Sequence, residues 1–166
     1  MRFIKWYHVL VFTLLFLIFL IFILPNEAKT SLTYGIELSP DTSIFYTSKT
    51  LYRLADENGE AGREFYITQR FTFDLIWPVV YGLFLVSAIG FLTFRINNPK
   101  YKHLYALPLV AMFFDYLENI TVSITMSRYP TLTPITSFLA GFMTLFKWST
   151  LSLALIALVI LLSIYL

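Results

Sequence analysis

Asp115, Glu118 and Asn119 stand at i, i+3 and i+4 within a run that is mostly apolar, so a helix there carries all three on one stripe. Asp74 opens a second apolar run. Tyr81 follows two turns later on nearly the same face, and Pro78 between them leaves the Asp74 carbonyl without its usual amide donor. Lys147 lies inside a third such run, preceded by the small residues Ser137, Gly141 and Thr144, which admit close approach of a neighbour. An ionised group at the centre of a bilayer costs about 2.5–3.5 kcal/mol on insertion scales, so these side chains are expected to face a partner or a wet cavity. The spacing predicts an outward-opening polar pocket lined by Asp74, Tyr81, Asp115, Glu118, Asn119 and Lys147, with Arg70 and Arg128 at its rim.

Three acids facing one buried base give a carboxylate surplus, which in low dielectric either binds a cation or holds a proton. That chemistry suits a site for a small ligand, cation or proton in a transporter, channel or sensor. The same groups also suit an intramembrane enzyme acting on a lipid-linked substrate, with Glu118 or Asp115 as acid and base and Lys147 or Tyr81 assisting. A third reading is an assembly protein in which Asp115 or Glu118 with Lys147 is a packing ion pair and Asp74 caps its helix. No metal site or cofactor is expected: the chain has no cysteine, and HExxH, GxSxG and glycine-rich phosphate loops are missing. His8 and His103 lie far along the chain from the acids and read as surface residues. Trp6, Tyr7, Trp77, Trp148 and Tyr165 read as aromatic-belt or core positions.

The elements that must hold these residues follow from composition. The chain has 166 residues, 58% hydrophobic and 13% charged, where a soluble domain carries about a quarter charged. This excludes disorder, a nucleic-acid tail and an ordinary cytosolic enzyme. The fold class is all-α, a polytopic membrane four-helix bundle forming a single membrane domain. Its spans lie at about 6–24, 74–94, 104–126 and within 135–166. Arg2 and Lys5 ahead of the first run are reminiscent of a signal peptide, but its length and the lack of an Ala-x-Ala site favour an uncleaved anchor.

Arg2 and Lys5, and then Arg95, Lys100 and Lys102 between the second and third runs, are basic clusters without acids, which stay cytoplasmic. The chain is therefore read as a multi-pass protein of a plasma membrane with both termini cytoplasmic. Residues 25–73 form an outer segment, read as a helical extracytoplasmic cap. Within it Thr47 or Ser48 caps a short helix burying Leu51, Tyr52, Leu54 and Ala55, and Asn58-Gly59 supplies the left-handed turn that ends it. Arg63–Phe73 reads as an outward extension of the second membrane helix. The Ile135 end of the long fourth helix is expected to protrude and pack against it.

Gly62-Arg63-Glu64-Phe65-Tyr66, then Asp74 to Gly82 (DLIWPVVYG), Phe114 to Asn119 (FDYLEN) and Lys147-Trp148 together resemble the pattern of uncharacterised bacterial four-helix membrane proteins. The resemblance covers roughly the last two thirds of the chain and implies the four-helix fold, with no activity attached. Intramembrane aspartyl proteases are excluded by the absence of their GxGD motif. Claudins and tetraspanins share only the layout, since their loop cysteines are missing. The partners this reading admits are membrane lipids, a small cation or amine ligand, and further copies of the chain. The net charge of +2 points away from nucleic acid.

Overall fold

The structure, a computed structural model, describes residues 4–166, with Asp41 by its backbone only; Arg2 lies outside the described residues. The chain is all-helical among those residues. In order the helices are α1 (Trp6–Ile18), a π-helical turn (Phe19–Ile23), α2 (Leu24–Thr33), α3 (Ser48–Glu57), α4 (Gly59–Arg70), α5 (Phe73–Ile96), α6 (Ala106–Arg128) and α7 (Pro134–Tyr165). Four helical stretches are long and apolar enough to cross a membrane: Trp6–Thr33, Gly59–Ile96, Pro99–Arg128 and Pro134–Tyr165.

The first stretch does not stop at Leu24, where the apolar run ends, but continues through Pro25 to Thr33. Proline inside a helix lacks an amide donor and clashes with the carbonyl four residues back. Here the wider π turn precedes it, with the Leu24 amide donating to the Phe19 carbonyl, and absorbs the mismatch. This helix lies beside α5 through rings: Phe16 stacks on Phe84 and Trp77 at centroid distances of 4.7 and 5.7 Å. None of its residues is buried. Asn97, in the left-handed region at φ 52°, ends α5. The adjoining α6 and α7 form the most extensive helix pair. Tyr81, Leu85, Ile89, Ala111, Ala154 and Leu161 fill the space among α5, α6 and α7.

Helix α3 begins where Thr47 accepts a hydrogen bond from the Thr50 amide at 3.3 Å, and Gly59, at φ +62°, turns the chain into α4. Both pack over one end of α6 and α7, where Leu51, Leu54 and Tyr66 meet Val122, Met126 and Ala140. Burying each of the Leu, Val and Met side chains contributes about 1.5–3 kcal/mol. Two expectations are corrected. The helix before α5 starts at Gly59 rather than Arg63 and breaks at Phe71–Thr72, where the Thr72 backbone leaves helical angles, so α4 is not a seamless extension. The start of α7 packs on α3 instead of α4: the Tyr52 hydroxyl accepts from the Thr133 amide at 2.7 Å and from the Ser137 hydroxyl at 3.1 Å. Gly141 lies directly beneath the Tyr46 carbonyl, a position that any Cβ would obstruct. The small-residue stripe of α7 thus receives the 45–52 segment as well as its helical neighbour.

Candidate functional site

Helix α6 turns Asp115, Glu118 and Asn119 inward, all three buried, and α7 brings Lys147 across to them. The Lys147 ammonium lies 2.5 Å from Glu118 Oε2 and 3.6 Å from Asp115 Oδ1. The other oxygen of each carboxylate is also engaged. Tyr81 on α5 donates its hydroxyl to Asp115 Oδ2 at 2.9 Å. Thr144, one turn before Lys147, donates to Glu118 Oε1 at 2.5 Å, and the Tyr46 hydroxyl approaches the same oxygen at 3.4 Å. Glu118 is 1% exposed, Lys147 6% and Asp115 8%, so the cluster is shut from solvent and each contact acts at low dielectric.

Asp74 departs from the expected arrangement. Its carboxylate is held by Arg70 at 2.9 Å across the α4–α5 junction, away from Lys147, with the turn at Phe71–Thr72 between the two residues. Arg70 is itself buried and lies 4.3 Å from the face of the Tyr66 ring, so it is no rim residue. What joins Asp74 to the α6 stripe is its backbone: the carbonyl released by Pro78 accepts from Asn119 Nδ2 at 3.4 Å. Asn119 Oδ1 and the Ser123 hydroxyl one turn further are buried and lack a hydrogen-bond partner. Arg128 is exposed at the far end of α6, outside the cluster.

Among the described residues the buried charges are therefore three acids, Asp74, Asp115 and Glu118, and two bases, Arg70 and Lys147. A cavity of about 170 Å³ reaches this polar system from the side, between α2 and the α4–α5 junction. Its wall includes Glu27, Gln69, Arg70, Phe73, Asp74 and Trp77 and does not include Asp115, Glu118 or Lys147. Gln69 donates to Glu27 Oε2 at 3.0 Å and accepts from the Ser31 hydroxyl at 3.1 Å. The described His, Cys, Asp and Glu residues form no group able to hold a metal ion.

Four residues take part in ways that the sequence does not assign to them. Thr144 carries a faint signal, since it precedes Lys147 by one turn on the same face. Tyr46, 72 residues from Glu118, carries none. Glu27 and Gln69, 42 residues apart, meet only because the first helix runs on past Pro25.

The fold and the site define an all-helical protein with four candidate membrane spans, three of which hold a buried ion-pair cluster among them. Comparison with protein-family models, with curated proteins and with solved structures finds no match. The pattern from Gly62 to Trp148 accordingly takes its meaning from the geometry alone.

Proposed function

We propose that the chain is an integral protein of the plasma membrane with both termini cytoplasmic and the α3–α4 cap outside, and that its Asp115–Lys147–Glu118 cluster holds a proton or a small cation, as in a transporter, channel or sensor. The observation that carries this reading is the charge count: three buried acids face two buried bases. A net negative charge is unfavourable in low dielectric, so a proton or a cation is taken up among these carboxyls. Asp115 and Glu118, sharing one ammonium between them, are the pair at which that positive charge resides. Tyr81 and Thr144 orient the two carboxylates, and Asn119, on the same stripe of α6, donates to the Asp74 carbonyl.

A second reading has an observation of its own. All four carboxylate oxygens of Asp115 and Glu118 are already engaged, which suits an ion pair that locks α6 to α7 for packing.

The two are separated by melting the purified protein in detergent across pH and against lithium, sodium, potassium and ammonium at constant ionic strength. The proposal expects acidification or one of these cations to raise the melting temperature by mass action, about 2.7 kcal/mol at a hundredfold excess over Kd, and Glu118→Gln to abolish the rise. No shift under any condition, with Glu118→Leu/Lys147→Met folded and active in the cell, establishes the packing role.

A further inference from the structure

The cleft between α2 and the α4–α5 junction lies where the first helix changes character. Its apolar run closes at Leu24, and Asn26, Glu27 and Lys29 follow within the next five residues, all on one continuous helix. In a span of this kind that change marks the passage from hydrocarbon to headgroup depth. The cleft has one wall of each kind: Leu24, Phe73 and Trp77 are apolar, and Glu27, Arg70 and Asp74 are charged. Asp74 is matched to Arg70 at 2.9 Å. Glu27, which is half-buried, meets a neutral amide instead, and the Ser31–Gln69 bond fixes that amide in place. A carboxylate positioned in this way, in a cleft that Phe73 and Trp77 also line, suits a positively charged group. At roughly 30 Å³ per water, the 170 Å³ cavity holds about five or six waters, room for an aminoethyl group.

We infer that this cleft binds the primary ammonium of an aminoethyl headgroup, with Glu27 as its counter-ion, and that the amine is carried by a zwitterionic phospholipid whose acyl part leaves along the apolar wall. The inference rests on the membrane reading of the four spans and is independent of the Lys147 cluster. A soluble aminoethyl compound presents the same ammonium, and the test distinguishes the two sources.

The full chain, purified in a maltoside detergent and stripped of lipid, is offered phosphatidylethanolamine, its N-acylated derivative and phosphatidylglycerol, and the retained lipid is read by native mass spectrometry. Phosphatidylethanolamine is expected to be held about tenfold more tightly than either of the others, the scale of one charge-assisted hydrogen bond. Glu27→Gln removes that preference, while Glu37→Gln, at an exposed acid, keeps it. If Glu27→Gln melts early, Ser31→Ala, which releases Gln69, is expected to weaken the preference in its place. Displacement by millimolar free ethanolamine assigns the same site to a soluble amine and overturns the lipid assignment. Equal retention of the three lipids, or a preference unchanged in Glu27→Gln, overturns the site itself. Failure of the membrane reading has a different signature, a chain that stays monodisperse in water without detergent.

Discussion

Replacing Lys147 by Met removes the ammonium that Asp115 and Glu118 share while keeping a side chain of similar length in a packed position. Breaking a buried pair from one side costs about 3–5 kcal/mol, because the remaining charge stays desolvated. The acids have an escape, which is to take up a proton. Neutralising a carboxyl of ordinary value near 4 at pH 7 costs about 4 kcal/mol at 1.36 kcal/mol per unit, and this caps the loss. The folded variant then binds a proton that the unfolded chain does not hold at neutral pH, so its stability falls as pH rises and recovers on acidification. The expected loss is about 3–4 kcal/mol at pH 7, shrinking by about 1.4 kcal/mol for each unit down to pH 5. Adding Asp115→Asn and Glu118→Gln to Lys147→Met neutralises the cluster and is expected to return all but about 1–2 kcal/mol at pH 7. The assay is reversible denaturation in bicelles with a graded detergent denaturant at pH 5, 6, 7 and 8. A loss below about 1 kcal/mol that stays flat across this range, the behaviour of a solvated surface pair, refutes the reasoning.

Tyr81→Phe deletes the hydroxyl bound to Asp115 and leaves its ring in the core, so the same assay is expected to register a loss of about 1.5–3 kcal/mol, the worth of a hydrogen bond to a charged group. Gly141→Ala drives a methyl into the Tyr46 carbonyl and is expected to lower stability by about 1–3 kcal/mol, with increased proteolysis of the 40–50 segment as the local readout. In the cap, the Tyr129 hydroxyl donates to Asp56 at 2.8 Å, and that bond, with burial and the negative charge of Asp56, holds the phenol's pKa above the usual tyrosine range. Its contribution to stability is therefore complete below the ordinary tyrosine value and lost as pH rises through the folded one, so ultraviolet titration of Asp56→Ala is expected to show one tyrosine ionising earlier than in the wild type.

The parts of this structure visible in the chain are those governed by short-range periodicity. Hydropathy runs mark the helices, the i, i+3, i+4 placement of Asp115, Glu118 and Asn119 marks one inward stripe, and Thr47 with Asn58-Gly59 brackets α3. The vacancy that Pro78 creates at the Asp74 carbonyl is likewise a local consequence, and the amide that fills it belongs to a residue already singled out, Asn119. The rest depends on where distant segments come to lie. Nothing near Tyr46 shows that its carbonyl rests on Gly141 and its hydroxyl near Glu118. A proline after an apolar run reads as a helix end, yet the helix passes Pro25 behind the π turn at Phe19–Ile23 and carries Glu27 to Gln69. The Arg70–Asp74 spacing is legible, yet the competition between Arg70 and Lys147 for Asp74 is settled by the turn at Phe71–Thr72.

The most direct test is the protonation of the buried carboxyls. Infrared difference spectra of the protein in bilayers, taken at pH 7 with choline as the sole added cation, distinguish a protonated carboxyl from a carboxylate. The account expects one protonated buried carboxyl in the wild type, lost in Glu118→Gln or in Asp115→Asn. A spectrum in which Asp115 and Glu118 are both ionised, with no small cation present, contradicts it.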